Sequence, residues 1–198
     1  MIYDFYYVKE LYTPEMCEEL RTLIQLHYNN DDNVKDSPAE GATKTADVKF
    51  IRRNFISPQL EKFYESIGVI NNLAFRLHLD AVGYDSVLNF NTYSSETNAE
   101  YSWHTDGRRD GIKDIKLTAI LNLSDEPYEG GDISLFFNGP HIVEEFRLPG
   151  TLLVFPSWVP HKIDPVTAGT RKTLIQFFEG PPLLLSLIHI SEPTRRYA

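Results

Sequence analysis

The spacing of hydrophobic residues divides the chain into a helical part and a longer part with the period of β-strands. Thr13 and Pro14 are favourable residues for the N-cap and first position of a helix, and the apolar positions after them recur every three or four residues. This stripe consists of Met16, Leu20, Leu23, Ile24 and His27. A second helix is predicted to begin at Ser57-Pro58 and to be interrupted at Gly68; its apolar face carries Leu60, Phe63, Tyr64 and Ile67.

From about Leu73 onward the apolar spacing changes to two, which is typical of strands. Segments rich in glycine and proline separate the predicted strands, which lie at 74–80, 86–93, 115–123, 131–137, 141–146, 151–156, 159–163 and 171–178. This pattern predicts an antiparallel sandwich or barrel of the jelly-roll type, closed on one side by the N-terminal helices. The fold class is therefore mainly β with N-terminal helices (α+β), with helical support at about 1–72 and a β core at about 73–180.

Length and composition indicate one domain, which we assign to residues 1–182. With 198 residues, 42% of them hydrophobic, the chain can bury a large core. The single cysteine, Cys17, cannot form an internal disulfide, and a packing role in the first helix is expected. The N-terminus lacks the features of a signal peptide, and no apolar stretch approaches the roughly 20 residues that cross a bilayer. We expect a soluble, cytoplasmic protein without a membrane partner.

The net charge of −9 at pH 7 argues against a nucleic-acid partner, because such binding depends on Lys and Arg neutralising phosphates. Arg108 and Arg109 are adjacent basic residues, for which a solvated turn is the favoured interpretation and contact with an acidic substrate the alternative. Residues 29–47 are rich in Asn, Asp, Ser and Gly, and they predict a long loop that is either a substrate lid or disordered.

Two His-x-Asp triplets are candidates for metal binding, although one such triplet alone is a weak signal. His78 and Asp80 fall on the polar side of a predicted strand and are interpreted as structural. His104 and Asp106 follow a strand and a polar loop, where ligands are held rigidly and stay accessible. In an extended chain their side chains project to one side, so both can bind one metal ion.

His161 and Arg171 complete the candidate chemistry. Two imidazoles and one carboxylate on one face of a metal leave three coordination positions open, which points to non-haem Fe(II) oxygenases rather than a closed structural zinc site. Arg171 follows His161 across a glycine turn, with Thr173 on the same strand face. A guanidinium binds a carboxylate through two hydrogen bonds, and a nearby hydroxyl completes such a site.

Five pieces of sequence occur in an order and spacing that together are far more specific than any one of them. They are Tyr101-x-x-His104-x-Asp106, Leu117 to Asn122, Tyr128-Glu129-Gly130-Gly131, Pro149 to Pro156, and His161-x-x-x-Pro165-Val166-x-x-Gly169-x-Arg171-x-Thr173. On these pieces the segment from Tyr93 to Phe178 resembles the Fe(II)/2-oxoglutarate dioxygenases, in particular their prolyl 4-hydroxylase-like branch. Lys9 to Leu26 is similar to the opening helix of that branch.

The resemblance implies a double-stranded β-helix in which His104, Asp106 and His161 bind Fe(II) and Arg171 binds the distal carboxylate of 2-oxoglutarate. It also implies dioxygen as a cosubstrate, ascorbate as a candidate reductant, and decarboxylation of 2-oxoglutarate to succinate and CO2 coupled to hydroxylation of an unactivated C–H bond. Related halogenases lack the carboxylate that Asp106 supplies, so its presence favours hydroxylation.

One departure from the family concerns the distal carboxylate, because Ile120 stands where many relatives have a tyrosine that contacts it. Thr118, Thr173 and Tyr93 are the candidates for supplying this hydroxyl, and the sequence does not choose among them. Tyr101 matches a position that lines the active site in the family, with an ordinary strand tyrosine as an equal alternative.

Other aromatic residues and histidines have plainer interpretations. Trp103 and Trp158 flank the predicted mouth of the site, where they either stack on a substrate or, as is more common in a β-sandwich, pack in the core. His141 follows Pro140 at a turn and is predicted to be exposed.

The leading expectation for the substrate is a prolyl residue of a peptide or protein. The alternatives are hydroxylation of a free amino acid or small metabolite and, from a different class, a non-catalytic jelly-roll module that keeps a metal for structure. The oligomeric state is open. Residues 183–198 have no counterpart in the family and look like translated adapter sequence, with a genuine apolar tail that docks on the barrel as the alternative.

Overall fold

The computed structural model describes residues 4–27, 38–106 and 113–182, together with the backbone at 108–109. Within these ranges the helices are α1 (Pro14–His27), α2 (Arg53–Ile56) and α3 (Glu61–Ile70). A 3-10 turn at Ser57–Leu60 precedes α3, and a π-helical turn at Asn71–Phe75 follows it. Among these residues, every helix is too short or too polar to span a lipid bilayer. The predicted tail at 183–198 lies outside the described residues, as do residues 29–37 of the predicted loop at 29–47.

The strands form two principal antiparallel sheets. They are β1 (Tyr6–Val8), β2 (Asp47–Arg52), β3 (Val87–Ser94), β4 (Tyr101–His104), β5 (Arg108–Arg109), β6 (Lys113–Asn122), β7 (Glu129–Gly130), β8 (Ile133–Phe136), β9 (Pro140–Ile142), β10 (Leu152–Pro156), β11 (His161–Ile163), β12 (Val166–Ala168) and β13 (Thr170–Gly180). The major sheet has the order β1-β10-β6-β13-β3-β2, with β5 paired to β6, and the minor sheet has the order β4-β11-β8-β9. Strands β12 and β7 form a separate pair.

The major sheet is buried on both faces, and the alternation of side chains along its strands decides which residues face which layer. On β6, Leu117, Ala119 and Leu121 pack in the core beneath the helices, whereas Ile120 packs in the core between the two sheets. On β3 and β13 the same alternation turns a second set toward the space between the sheets. This inner set comprises Asn89, Asn91, Tyr93, Arg171, Thr173, Ile175 and Phe177.

The helices cover the outer face of the major sheet. The hydroxyl of Thr13 accepts a hydrogen bond from the backbone N–H of Met16 at 3.3 Å, which confirms Thr13 as the N-cap of α1. Cys17, Leu20 and Ile24 of α1 are buried against this sheet, so Cys17 has the packing role that was predicted for it. At about 25 cal/mol per Å² of apolar surface, each such aliphatic side chain contributes roughly 1.5–3 kcal/mol to folding.

Two predictions for residues 68–80 are wrong. Gly68 does not interrupt the second helix, because α3 continues to Ile70 and passes into the π-helical turn. The strand predicted at 74–80 is absent from the described fold, since Arg76 adopts a left-handed φ of 53° that turns the chain. The side chain of Asn71 then fixes the turn by hydrogen bonds of 3.0 Å to both the backbone N–H and the carbonyl of Leu77.

Several other strands were not predicted from the sequence, and one strand ends earlier than predicted. Strands β1, β2, β4, β5, β7 and β12 were not predicted; β2 begins at the last residue of the predicted long loop. On β2 only Ile51 is buried, so this strand has no clear alternation of polar and apolar residues. The strand predicted at 141–146 ends at Ile142, and a 3-10 turn follows at Glu144–Arg147.

Candidate active site

The three predicted metal ligands come from two paired strands and the turn between the sheets. His104 ends β4, His161 begins β11, and the two residues are direct partners across this antiparallel pair. Asp106 lies two residues beyond His104, where its backbone N–H donates to the carbonyl of Ser157 at 3.0 Å. Strand pairing and this single loop contact therefore bring together residues that are far apart in sequence.

The donor atoms of the three side chains converge on one point. One potential ligand atom from each of His104, Asp106 and His161 lies within 4.8 Å of the others, and no second cluster of this kind occurs in the described ranges. Nε2 of His104 is 3.7 Å from Oδ1 of Asp106, and Nε2 of His161 is 3.5 Å from Oδ2. These separations suit a metal ion placed between atoms that each approach it to roughly 2 Å.

Backbone carbonyls fix the orientation of both imidazoles. Nδ1 of His104 lies 2.7 Å from the carbonyl oxygen of Ser102, and Nδ1 of His161 lies 3.0 Å from that of Val159. A carbonyl only accepts hydrogen bonds, so each Nδ1 carries the proton and each Nε2 keeps a free lone pair. This is the arrangement by which proteins orient metal-binding histidines.

Burial keeps His104 uncharged. Loss of solvent is the main cause that lowers the pKa of His104 to about 3, and the neighbouring His161 lowers it further. The imidazole is therefore neutral at physiological pH, as a metal ligand must be. The aromatic ring of Tyr101 stacks on His104 with 3.5 Å between ring centroids and so covers one face of the ligand.

The hydroxyl of Thr118 contacts one of the three candidate ligands. It donates to Oδ2 of Asp106 at 2.5 Å and lies 2.9 Å from the hydroxyl of Ser157. Thr118 was one of three candidates for binding 2-oxoglutarate, but these contacts give it a place beside the metal ligand. Ser157 was not identified from the sequence, because a lone serine after a strand carries no distinguishing signal.

Arg171 is a fully buried cation that faces the same cavity. The residue is 1% exposed, and its Nε and Nη2 make no hydrogen bond to any described residue. Its guanidinium carbon lies 5.1 Å from the ring centroid of Tyr93 and 5.5 Å from that of Phe146. An unpaired buried guanidinium is costly, so its surroundings indicate a site for an anion that binds there.

One cavity of about 1050 Å³ connects the metal ligands with Arg171. Its wall includes all eight residues that the sequence analysis proposed for the site: Tyr93, Tyr101, His104, Asp106, Thr118, His161, Arg171 and Thr173. Ile120 is 3% exposed and also lines the cavity. Asn91, a buried residue of β3 that the sequence analysis missed, lies in the same wall.

The segment before β2 forms part of the rim. The hydroxyl of Tyr101 accepts a hydrogen bond from the backbone N–H of Ala39 at 2.9 Å. Backbone hydrogen bonds also join Thr43 with Ser102 and Thr45 with Glu100. The part of the predicted loop that is described therefore runs along the free edge of β4, next to the candidate ligand His104.

The remaining candidates lie elsewhere. His78 is exposed, and Asp80 forms an ion pair of 2.6 Å with Lys113, consistent with a structural interpretation of this triplet. The favoured core interpretation of the tryptophans is wrong, since Trp103 and Trp158 are 40% and 45% exposed, and only Trp103 lines the cavity. His141 is exposed, as predicted. The backbone at 108–109 is a strand paired with β6 rather than a turn, and its side chains lie outside the described residues.

Comparison with known families shows which proteins the site region is similar to. The family model for the 2OG-Fe(II) oxygenase superfamily matches residues 88–179, which include every candidate ligand. The matched residues make up just under half of the chain, and over them it is similar to the 2OG-Fe(II) oxygenase superfamily. Members of this superfamily use Fe(II), 2-oxoglutarate and dioxygen, and the His-Asp-His cluster together with the unpaired guanidinium of Arg171 fits the first two.

Curated relatives in this superfamily include PKHD-type hydroxylases. One from Synechococcus sp. (strain CC9605) is 34% identical over 89 residues, which cover 43% of this chain and 39% of the relative. Another from Stenotrophomonas maltophilia (strain R551-3) is 38% identical over 90 residues, which cover 41% of this chain and 38% of the relative. The chain thus matches about two fifths of the length of these relatives.

Similar solved structures confirm the predicted jelly-roll fold. A prolyl-4-hydroxylase from Pseudomonas putida superposes with a TM-score of 0.67 at 23% identity, covering 90% of this chain and 94% of that one. A prolyl hydroxylase from Trichoplax adhaerens, in complex with a hypoxia inducible factor peptide fragment, superposes with a TM-score of 0.63 at 16% identity. This second match covers 88% of this chain and 83% of the other.

Proposed function

We propose that this oxygenase hydroxylates a prolyl residue of a peptide or protein, with His104, Asp106 and His161 as Fe(II) ligands and Arg171 as the anchor of 2-oxoglutarate. The observation that carries the proposal is the placement of an unpaired buried guanidinium and a convergent His-Asp-His cluster in one cavity. The catalytic domain that we propose comprises residues 1–182.

The set of three candidate protein ligands favours a catalytic metal site over a structural one. Three protein ligands on one side leave room for the keto acid and dioxygen, whereas a structural zinc site is closed by four protein ligands. When bound, Fe(II) supplies the chemistry that couples decarboxylation of 2-oxoglutarate to hydroxylation of a C–H bond. The role of the protein is to orient the ligands, to hold the distal carboxylate and to exclude water from the reacting groups.

The shape and lining of the cavity support a cyclic, largely apolar substrate group. Half-buried residues on the inner face, Phe50, Ile115 and Phe177, line the part of the cavity farther along β13 from Arg171. The exposed ring of Trp103 lines the cavity as well and packs against Phe136 with 5.8 Å between centroids. A pyrrolidine ring with its flanking peptide chain fits such a surface, and the peptide-bound structural relative from Trichoplax adhaerens favours this substrate class.

The cofactor part of the proposal is tested by anaerobic titration of the protein with Fe(II) and 2-oxoglutarate. Chelation of iron by the keto acid gives a weak visible charge-transfer band, which a closed structural site cannot produce. We expect the band in the parent protein and in His78→Ala, and its loss in His161→Ala. Absence of the band from the parent protein would exclude the proposed chemistry and favour a non-catalytic metal-binding module.

The substrate part is tested by mass spectrometry. Proline-containing peptides, free amino acids and cell extract are incubated with the enzyme, Fe(II), 2-oxoglutarate and air. We expect a prolyl peptide to gain the mass of one oxygen atom in amounts that match the succinate released. Oxygen gain in a free amino acid or small metabolite alone would replace the prolyl assignment with the alternative hydroxylase.

A further inference from the structure

Two adjacent rows of residues on the inner face of the major sheet contain buried polar groups without partners. Arg171 on β13 is the direct partner of Tyr93 on β3, and the next inward pair along these strands is Thr173 with Asn91. Asn91 is 1% exposed and Thr173 is 0% exposed. Oδ1 of Asn91 and Oγ1 of Thr173 make no hydrogen bond to any described residue, like two nitrogens of Arg171.

Such a concentration of unpaired groups is informative because each one is costly. A buried polar atom without a partner destabilises a protein by about 1–3 kcal/mol, and the great majority of buried polar atoms are paired. Here the unpaired atoms of three residues lie on neighbouring positions of two strands and face one cavity. A ligand with several hydrogen-bond acceptors at one end would pair with the donors of Arg171 and Thr173, and with Asn91 once its carboxamide presents the NH2 group.

We infer that Asn91 and Thr173 bind the distal carboxylate of 2-oxoglutarate together with Arg171, and so replace the tyrosine that relatives carry at the position of Ile120. This inference rests on the proposed function. The Thr173 hydroxyl donates one hydrogen bond, and the carboxamide of Asn91 donates another from its NH2 group. Rotation of the Asn91 carboxamide by 180° exchanges the positions of its oxygen and its NH2 group. This rotation breaks no hydrogen bond of the oxygen, because Oδ1 has no partner among the described residues.

The order of the rows along β13 also explains which keto acid fits. Thr118, which contacts Asp106, is the cross-strand partner of Phe177 on β13. Two residues along β13 toward Arg171, Ile175 is paired with Ile120. The next inward-facing pairs are Thr173 with Asn91 and then Arg171 with Tyr93. Ile175 and Ile120 therefore separate the candidate metal ligands from the polar row, by which we mean Thr173, Asn91 and Arg171. Methylene groups of 2-oxoglutarate lie against the isoleucines, and its carboxylate reaches the polar row. Oxaloacetate, which is one methylene shorter, leaves its carboxylate on the isoleucines.

The test uses glutarate, a dicarboxylate that lacks the chelating keto group, to measure the acid-binding end independently of iron. Calorimetric titration of the full chain without metal is compared among the parent, Asn91→Leu, Thr173→Val and Thr92→Val. Thr92 lies next to Asn91 on β3 but alternates to the opposite face, so it provides a matched control. We expect each of the first two variants to bind glutarate about tenfold more weakly, the effect of losing one hydrogen bond to a charged group, and Thr92→Val to bind like the parent.

Two further variants separate a lost hydrogen bond from damaged packing. Thr173→Ser keeps the hydroxyl and is expected to bind glutarate like the parent, and Asn91→Asp keeps the shape but adds a like charge and is expected to lose binding. Their melting temperatures report whether the fold is intact. The same set is then titrated with Fe(II) and 2-oxoglutarate, where the charge-transfer band is expected to require about tenfold more 2-oxoglutarate in Asn91→Leu and Thr173→Val.

The outcomes distinguish this inference from the proposed function. In one outcome the parent shows the charge-transfer band, but Asn91→Leu and Thr173→Val bind glutarate with affinities within twofold of the parental affinity. Asn91 and Thr173 then do not contact the ligand, so the inference is overturned while the oxygenase chemistry stands. If the parent shows neither the band nor glutarate binding, both fail. A parent that binds oxaloacetate as tightly as 2-oxoglutarate overturns the role given to the isoleucine pair.

Discussion

The hydroxyl of Thr118 donates a hydrogen bond of 2.5 Å to Oδ2 of Asp106, the only carboxylate among the three candidate ligands. The Thr118 hydroxyl also lies 2.9 Å from Oγ of Ser157, whose carbonyl accepts from the backbone N–H of Asp106. Asp106 is therefore held by one hydrogen bond to its carboxylate and by another from its backbone N–H. Such partners orient a ligand carboxylate, and their replacement commonly weakens metal binding.

Replacing Thr118 by valine removes this hydrogen bond without changing the shape of the side chain. We predict that Thr118→Val binds Fe(II) or Mn(II) about 10–100-fold more weakly, because Asp106 is no longer fixed in orientation. Thr118→Ser keeps the hydroxyl and should bind like the parent. Calorimetric titration with Mn(II) measures both, and parental affinity in the valine variant would show that Asp106 needs no such support.

Gly131 is expected to be intolerant of a side chain because it lies against Arg171. It has a φ of +61°, and an added Cβ would be 2.9 Å from Val166 Cγ2 and 3.1 Å from Arg171 Cδ. We predict that Gly131→Ala both destabilises the fold, by about 1–3 kcal/mol from overpacking and backbone strain, and weakens 2-oxoglutarate binding by displacing the guanidinium. Denaturant unfolding and the charge-transfer titration measure the two effects.

Gly68 supplies the control for that prediction. It lies within α3, and an added Cβ would meet nothing within 4 Å. Gly68→Ala should stabilise the protein by about 0.5–1 kcal/mol, because alanine loses less conformational entropy in a helix. Equal loss of stability in both alanine variants would contradict the steric account of Gly131.

The hydroxyl of Tyr101 ties the rim segment to the metal centre through the N–H of Ala39. Tyr101→Phe keeps the ring that stacks on His104 but removes this acceptor. We therefore predict unchanged Mn(II) affinity together with faster hydrogen exchange at the Ala39 amide. Exchange at Thr45, whose N–H donates to the carbonyl of Glu100, should stay within a few fold of the parent. Weakened metal binding in this variant would assign the hydroxyl to the metal site instead.

Alkaline stability is expected to depend on Tyr64. Burial raises the pKa of Tyr64 to about 12 despite the opposing charge of Arg53, and its hydroxyl donates to Gln176 Oε1 at 2.9 Å. A group whose pKa is raised on folding contributes its full stability below the unfolded pKa of about 10, and this contribution is lost as the pH rises to about 12. The free energy of unfolding should fall by roughly 2–3 kcal/mol over this interval on account of Tyr64.

Tyr64→Phe isolates this contribution. The variant should be less stable than the parent at pH 8, since Gln176 loses its donor, but its stability should decline less between pH 10 and 12. Urea unfolding at a series of pH values gives both quantities. Parallel curves for the parent and the variant would contradict a raised pKa at Tyr64.

Local chemistry allowed part of this molecule to be predicted from sequence. Thr13 and Pro14 start a helix wherever they are followed by an apolar stripe, and α1 begins there. Strands β6, β10 and β13 were also predicted, because a strand that is buried on both faces has many apolar residues, and such a run is visible in the sequence. By contrast, β2 has a single buried residue, and the turn at Arg76 depends on hydrogen bonds from Asn71. Neither feature has a signature in hydrophobic spacing.

By itself, the sequence determined the classes of group present and the local elements that carry them. It placed His104 and Asp106 on one side of an extended chain and put Arg171 and Thr173 on one strand face, because side chains alternate with a period of two. Only the tertiary structure decided that His161 pairs with His104, that Thr118 contacts Asp106, and that Asn91 stands beside Thr173. These relationships join segments distant in sequence, and they follow from strand register, which the packing of the whole sheet sets.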